Sequence, residues 1–249
     1  MLDPLVLLAL GGAGLLAGFV DAIAGGGGLI ALPALLAAGV PPVAALGTNK
    51  VQSVIGTGMA ALTYWRKGFV SLRSVLLAVV CASVAAFAGA LIVKQVDTST
   101  LSVAVPLALV PVALYFLLAP RLSDEDRHAR LAFATFVPVM AAIVGFYDGG
   151  LGPGTGSFLT MGFVALFGLG LTRAAGHTKV VNLASNLGAL ALFIPSGDVV
   201  WVAAGAMAVG QLIGGYLGAL TGIRFGAKLI RPLVVVISLI LAIKLLFFR

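Results

Sequence analysis

The sequence predicts an all-α polytopic membrane protein made of two five-segment inverted-topology repeats. It would have about ten membrane segments, with helices broken by glycine at the centre. Three observations carry that prediction: the composition, the succession of apolar segments, and a set of short motifs that recurs half a chain later. Of 249 residues, 61% are hydrophobic and 9% charged, whereas soluble domains run at about 45–50% apolar and about 25% charged. No soluble fold of this size has interior enough for so much apolar surface. The same composition excludes a secreted domain, a DNA-binding domain and a disordered chain.

A membrane helix needs about 20 apolar residues. Segments of that kind run over 4–23, 44–65, 71–93, 100–119, 131–148, 178–194, 199–222 and 229–248, with two shorter ones over 28–40 and 156–171. MLDPLVLLAL at the start has no Lys or Arg before its apolar run and no clear cleavage site. It therefore reads as the first membrane helix rather than a signal peptide. The two short pieces directly follow AGGGG at 24–28 and GGLGPGTG at 149–156, and either cross or re-enter. The polar stretch RLSDEDRHAR at 121–130 reads as a solvated loop between an N-terminal repeat, 1–120, and a C-terminal repeat, 131–249.

The duplication is visible in the letters. GFVD at 18–21 matches GFYD at 145–148, GGGG at 25–28 matches GPGTG at 152–156, and GTNK at 47–50 matches GHTK at 176–179. The order is kept, which chance does not explain. Charge then sets the orientation. If each repeat crosses five times, one face collects Arg66, Lys67, Arg73, Arg121, Arg127, Arg130, Arg173, Arg224, Lys228 and Arg231, and the other only Lys94, Lys244 and Arg249. The positive-inside rule favours that arrangement, with both termini outside the cytoplasm. The net charge of +7 is thus topology-setting loop charge, scattered singly with no basic tract for nucleic acid. Cys81 is the one cysteine, so no intrachain disulfide forms.

Glycine and proline runs break helices, and broken backbone at membrane depth must line a cavity or be buried in protein. Breaks at matching places in two inverted halves point to a central binding site, and helices restarting after them present N–H groups suited to an anion. The predicted substrate site therefore takes in Gly25, Gly26, Gly27 and Gly28 with Gly152, Gly154, Thr155 and Gly156. The alternative role for such glycines is close helix packing. Thr48, Asn49 and Lys50 begin the third segment, and His177, Lys179 and Asn182 occupy the copied patch. Lys50 and Lys179 match in position, so two cations can face one anion, unless each lysine snorkels to an interface. Asp21 and Asp148, one at the end of each first helix, pair with the lysines, carry a proton or cap the next element; with His177 they are the proton-coupling candidates.

Enzyme chemistry finds little support. No Cys/His cluster has zinc spacing, GGGGLIALPAL lacks the Lys-Ser/Thr ending of a P-loop, and no βαβ unit surrounds GPGTGSF. No metal or cofactor is expected.

The stretch from Asp21 to Gly28 with Pro33 behind it, GTNK at 47–50, GFYDGGLGPGTGSF at 145–158, and Thr178, Lys179 and Asn182 together resemble the sulfite exporter TauE/SafE family over essentially the whole chain. The resemblance implies a secondary transporter of a small sulfur-bearing anion, such as sulfite or an organosulfonate like sulfoacetate, in the inner membrane of a prokaryote. It leaves sulfite, sulfonates, thiosulfate and a carboxylate open. Expected partners are a small anionic substrate and the lipid bilayer; a coupled proton and a second copy in a homodimer are candidates, and nucleic acid is not. The competing readings are a passive anion channel and a membrane assembly factor or enzyme that handles a sulfur compound.

Overall fold

A computed structural model describes residues 3–96, 124–226, 228, 229 and 232. Its eight described helices are α1 (Pro4–Ala24), α2 (Gly28–Ala37), α3 (Pro42–Arg66), α4 (Leu72–Val93), α5 (Phe133–Gly150), α6 (Thr155–Ala165), α7 (Leu171–Phe193) and α8 (Trp201–Phe225). The expected segments at 100–119 and 229–248 lie outside the described residues, apart from isolated positions. Among the described residues there is no strand.

Local sequence sets the ends. Asp3 caps α1, its carboxylate accepting from the Leu5 amide at 2.7 Å, and Pro4 stands at the first helical position. Gly25 closes α1 in the left-handed region at φ 78°. Pro42 opens α3 in the same way that Pro4 opens α1. The short helices have 10 and 11 residues, so each reaches only about half the hydrocarbon thickness at about 1.5 Å per residue.

Four helices, α1, α4, α5 and α8, are long and apolar enough to cross a membrane. Helices α3 and α7 have 25 and 23 residues but carry the polar patches. Those patches are buried: Thr48, Asn49, Lys50 and Gln52 on α3, and His177, Thr178, Lys179, Asn182, Ser185 and Asn186 on α7. Leu5, Leu8, Leu76, Val84, Ile143, Val202 and Val209 are more than half exposed on the outer helices, an apolar surface that suits lipid. The chain is therefore a multi-pass membrane protein with a polar axis.

Packing exchanges partners between the two halves. Helix α1 packs mainly on α8 and α5 mainly on α4, while α3 and α7 lie against each other at the centre. Small residues allow the close approach. Gly14 faces Met207, Gly18 faces Gln211 and Gly218 faces Phe19, so α1 and α8 run parallel. Gly145 faces Ala82 and Gly149 faces Ala86, so α5 and α4 run parallel. Gly215 faces Gly56 and Gly222 faces Tyr64, which sets α3 parallel to α8 as well. Gly47 faces Phe193, Gly58 faces Leu183 and Gly176 faces Tyr64, so α3 and α7 are antiparallel.

Candidate functional site

The breaks after α1 and α5 come together at the molecular centre. Gly25 and Gly156 touch backbone to backbone, and a Cβ on either would overlap the other's main chain. Ser157 Oγ donates to the Ala24 carbonyl at 2.9 Å across this contact, and Tyr147 Oη donates to the Pro153 carbonyl at 2.6 Å behind it. Gly152 and Gly154 adopt φ of 87° and 85°, a turn that only glycine makes without strain. The two short helices then start beside one cavity, with Gly28 from α2 and Thr155 and Gly156 from α6 on its wall. Helix starts leave N–H groups without intrahelical acceptors and carry the positive end of the dipole.

Two ion pairs flank the cavity, and each joins the two halves. Lys50 Nζ on α3 lies 2.7 Å from Asp148 Oδ1 on α5, with side chains 2% and 3% exposed. Lys179 Nζ on α7 lies 3.0 Å from Asp21 Oδ2 on α1, with exposures of 1% and 13%. Lys179 Nζ also donates to the Asp21 carbonyl. Asp148 has further donors: Ser185 Oγ at 2.6 Å and Thr155 Oγ1 at 2.8 Å. Asp21 accepts from the Gly27 amide and from Thr57 Oγ1, both at 3.3 Å. In low dielectric these pairings are what make buried charge tolerable.

Carboxamides complete the wall. Gln52 Nε2 donates to Asn49 Oδ1 at 2.7 Å, which leaves the Asn49 amino group beside Gly28. On α7, Asn186 Nδ2 donates to Asn182 Oδ1 at 3.1 Å. Both central helices thus offer a carboxamide whose oxygen is already engaged, an arrangement fitted to an acceptor-rich ligand. Among the described residues no three His, Cys, Asp or Glu side chains gather as metal ligands would.

Most predicted residues meet here, and some do not. Asp21, Gly25, Gly28, Asn49, Lys50, Asp148, Gly152, Gly154, Thr155, Gly156 and Asn182 line the cavity. Gly26 and Gly27 sit behind the wall, where the Gly27 amide holds Asp21. Thr48 faces the other way, its Oγ1 accepting from the Val200 amide at 2.9 Å. Lys179 reaches the site through Asp21 alone. His177 stands apart: its Nδ1 lies 2.8 Å from the Arg173 carbonyl, and its ring packs against Phe133 and Phe163. Ser53, Thr57 and Asn186 also line the cavity and were not among the predicted site residues. Their signal was helical spacing: Asn49, Ser53 and Thr57 recur at i, i+4 and i+8 on one face of α3.

The cavity is about 20 Å³, room for about one water. Asp21, Asp148, Lys50 and Lys179 sum to zero formal charge.

A polar, charge-balanced centre enclosed by helices with apolar outer faces belongs to a multi-pass membrane protein with an internal site, and the relatives below make its class a membrane transporter. The family model described as "Sulfite exporter TauE/SafE" matches residues 10–245, and the chain belongs to that family. It is 44% identical over 234 residues to the "Probable membrane transporter protein ORF9" of a Sinorhizobium species, covering 94% of this chain and 90% of that one. It is 42% identical over 247 residues to the "Probable membrane transporter protein YfcA" of Escherichia coli strain K12, covering 99% and 92%. A "Probable membrane transporter protein" of Haemophilus influenzae is 41% identical, with 94% and 92% covered. No solved structure gives a significant match.

Proposed function

We propose that this protein is a secondary transporter that moves a small sulfur-containing anion across the inner membrane of a prokaryote, holding it between two inverted repeats. The anion class is sulfite or an organosulfonate such as sulfoacetate. The observation that carries the proposal is the pair of crossed Lys–Asp contacts closed around one polar cavity at mid-helix. Lys50 to Thr57 fall in the middle of α3, and Asn182 to Asn186 in the middle of α7. In helices of this length the middle is the bilayer midplane.

The helix directions support inverted repeats. Helices α1 and α3 run one way with α8, and α4 and α5 run with each other. Central helix α7, the counterpart of α3, is antiparallel to it. The division at 121–130 and the count of ten crossings, with basic loops on the cytoplasmic side, belong to this proposal. The pairing of α1 with α8 and of α4 with α5 fits alternating access, in which one pair rocks against the other to open one side at a time. Sulfur enters through the family description together with the donor set, because ammonium, carboxamide N–H and helix-start N–H groups match the oxygens of a pyramidal or tetrahedral oxyanion.

The test is thermal stability of the purified protein at fixed ionic strength against sulfite, sulfoacetate, taurine, thiosulfate, sulfate and acetate. A specific ligand stabilises by RT ln(1 + [L]/Kd), so about 100 Kd of ligand adds about 2.7 kcal/mol. A rise in Tm with a sulfur oxyanion, with none from acetate, is expected. No rise with any sulfur anion rejects the substrate class.

A further inference from the structure

We propose that Gln52 is a positioning residue that makes the α3 wall of the cavity a donor surface for a sulfur oxyanion. It does so by occupying the side-chain oxygens of Asn49 and Ser53. The inference rests on the transporter reading above.

Gln52 is fully buried and does not itself line the cavity, whereas Asn49, Lys50 and Ser53 do. A carboxamide amino group has two hydrogens to donate, and here both are used. Gln52 Nε2 donates to Asn49 Oδ1 at 2.7 Å and to Ser53 Oγ at 3.1 Å. With those oxygens taken, Asn49 is left with its amino group and Ser53 with its hydroxyl hydrogen. Neither has an acceptor among the described residues. The Asn49 amino nitrogen stands 3.7 Å from where a side chain on Gly28 would begin, on the cavity wall. Asn49 and Ser53 are one helical turn apart on the same face, with Lys50 beside them.

The amide orientation carries a cost that this role explains. Gln52 Oε1 is buried without a partner, which native interiors rarely tolerate. Turning the Gln52 and Asn49 amides over would satisfy that oxygen but strand the two Gln52 N–H groups, the worse of the two outcomes. It would also aim the Asn49 oxygen at the ligand. The observed arrangement keeps the unsatisfied acceptor behind the wall and puts donors in front of it.

Helix α7 has no equivalent device. The repeat match that aligns Lys50 with Lys179 puts Val181 where Gln52 stands. There the Asn182 oxygen is taken by Asn186 Nδ2 at 3.1 Å, and Asn186 keeps its own oxygen on the wall. The carboxylates on the wall, Asp148 and Asp21, are engaged by Lys50 and Lys179. The donor face therefore belongs to α3. A sulfonate presents three acceptor oxygens, one for each of Asn49, Lys50 and Ser53, where a carboxylate presents two.

The experiment measures methanesulfonate affinity and thermal stability of purified variants. Gln52→Met keeps the side-chain length and removes both N–H groups together with the stranded oxygen. Its affinity should fall about fivefold while its Tm stays within about 3 °C of wild type. Gln52→Asn withdraws the amide by one methylene and keeps its polarity; it should lose about as much, and it serves if the methionine variant does not fold. In an Asn49→Ala background, Gln52→Met should cost about twofold or less, since only Ser53 remains to be oriented. Affinity within about twofold of wild type in the folded Gln52 variants overturns the assignment, as does an equal loss in both backgrounds. Tighter binding by Gln52→Met overturns it too, because an amide oxygen would then be facing the ligand. All three outcomes leave the transporter reading standing. Failure of wild type to bind methanesulfonate, sulfite and sulfoacetate overturns the inference together with the substrate class.

Discussion

Breaking the Lys50–Asp148 pair from one side should destabilise the protein far more than deleting it whole. With side chains 2% and 3% exposed and a 2.7 Å contact, Asp148→Leu leaves an ammonium in a dry interior. The cost of stranding one buried partner is about 3–5 kcal/mol. At about 2–4 °C per kcal/mol for a chain of this size, Tm should fall by about 6–20 °C. Lys50→Met should fall by a similar amount, since Asp148 keeps only hydroxyl donors. The double variant should recover to within about 1–2 kcal/mol of wild type, because apolar replacement of a buried pair is often close to neutral. Its two orphaned hydroxyls have other acceptors: Ser185 Oγ lies 3.0 Å from the Asn182 carbonyl and Thr155 Oγ1 2.7 Å from the Gly152 carbonyl. The assay is thermal unfolding of the three purified variants in one detergent. A loss under about 2 °C in both single variants, or a double variant as damaged as the two losses added, would refute the argument.

Three further outcomes follow from the same geometry. Gly25→Ala should abolish recovery of folded protein, because its Cβ would overlap Gly156 and its φ of 78° disfavours any side chain; a normal melting curve would show that the two breaks do not touch. His177→Phe should leave the affinity for a sulfur oxyanion within about twofold, since the ring packs on Phe133 and Phe163 away from the cavity; a tenfold loss in a binding titration would bring His177 back into the site. A cysteine at exposed position Glu125 in a Cys81→Ala background should react with an impermeant thiol reagent only from the cytoplasmic side. Labelling from outside would invert the orientation.

Hydropathy found the outer helices well. The expected 4–23 became Pro4–Ala24, 71–93 became Leu72–Val93, and 199–222 became Trp201–Phe225. It did worst on α7, where 178–194 became Leu171–Phe193, because TRAAGHTK looks too polar for a membrane helix. That error matters for the site. Lys179 does not begin its helix but sits eight residues in, and Lys50 likewise lies eight residues beyond Pro42. Both are buried inside the helix bundle and paired with a carboxylate. The matched motifs picked out glycine breaks, lysines and carboxylates that the fold brings together around one cavity. They could not show that each lysine pairs with the carboxylate of the opposite half, since pairing depends on how α1 and α5 are exchanged in space. The same limit put Thr48 and His177 in the predicted site: being next to the right residues in sequence turns a helical side chain about 100° away from them.

The exchange of outer helices also bears on how the chain is made. Helix α1 has its main partner in α8, whose first residue is Trp201. At about 5–20 residues per second, α1 waits on the order of ten to forty seconds between its own emergence and that of α8. During that time Gly11, Gly14 and Gly18 present a bare groove to lipid, and Asp21 has no Lys179. Helix α4 meets α5 much sooner. The membrane-insertion machinery therefore receives a first half that cannot close on itself, and two separately produced halves should associate in the bilayer rather than persist as independent units.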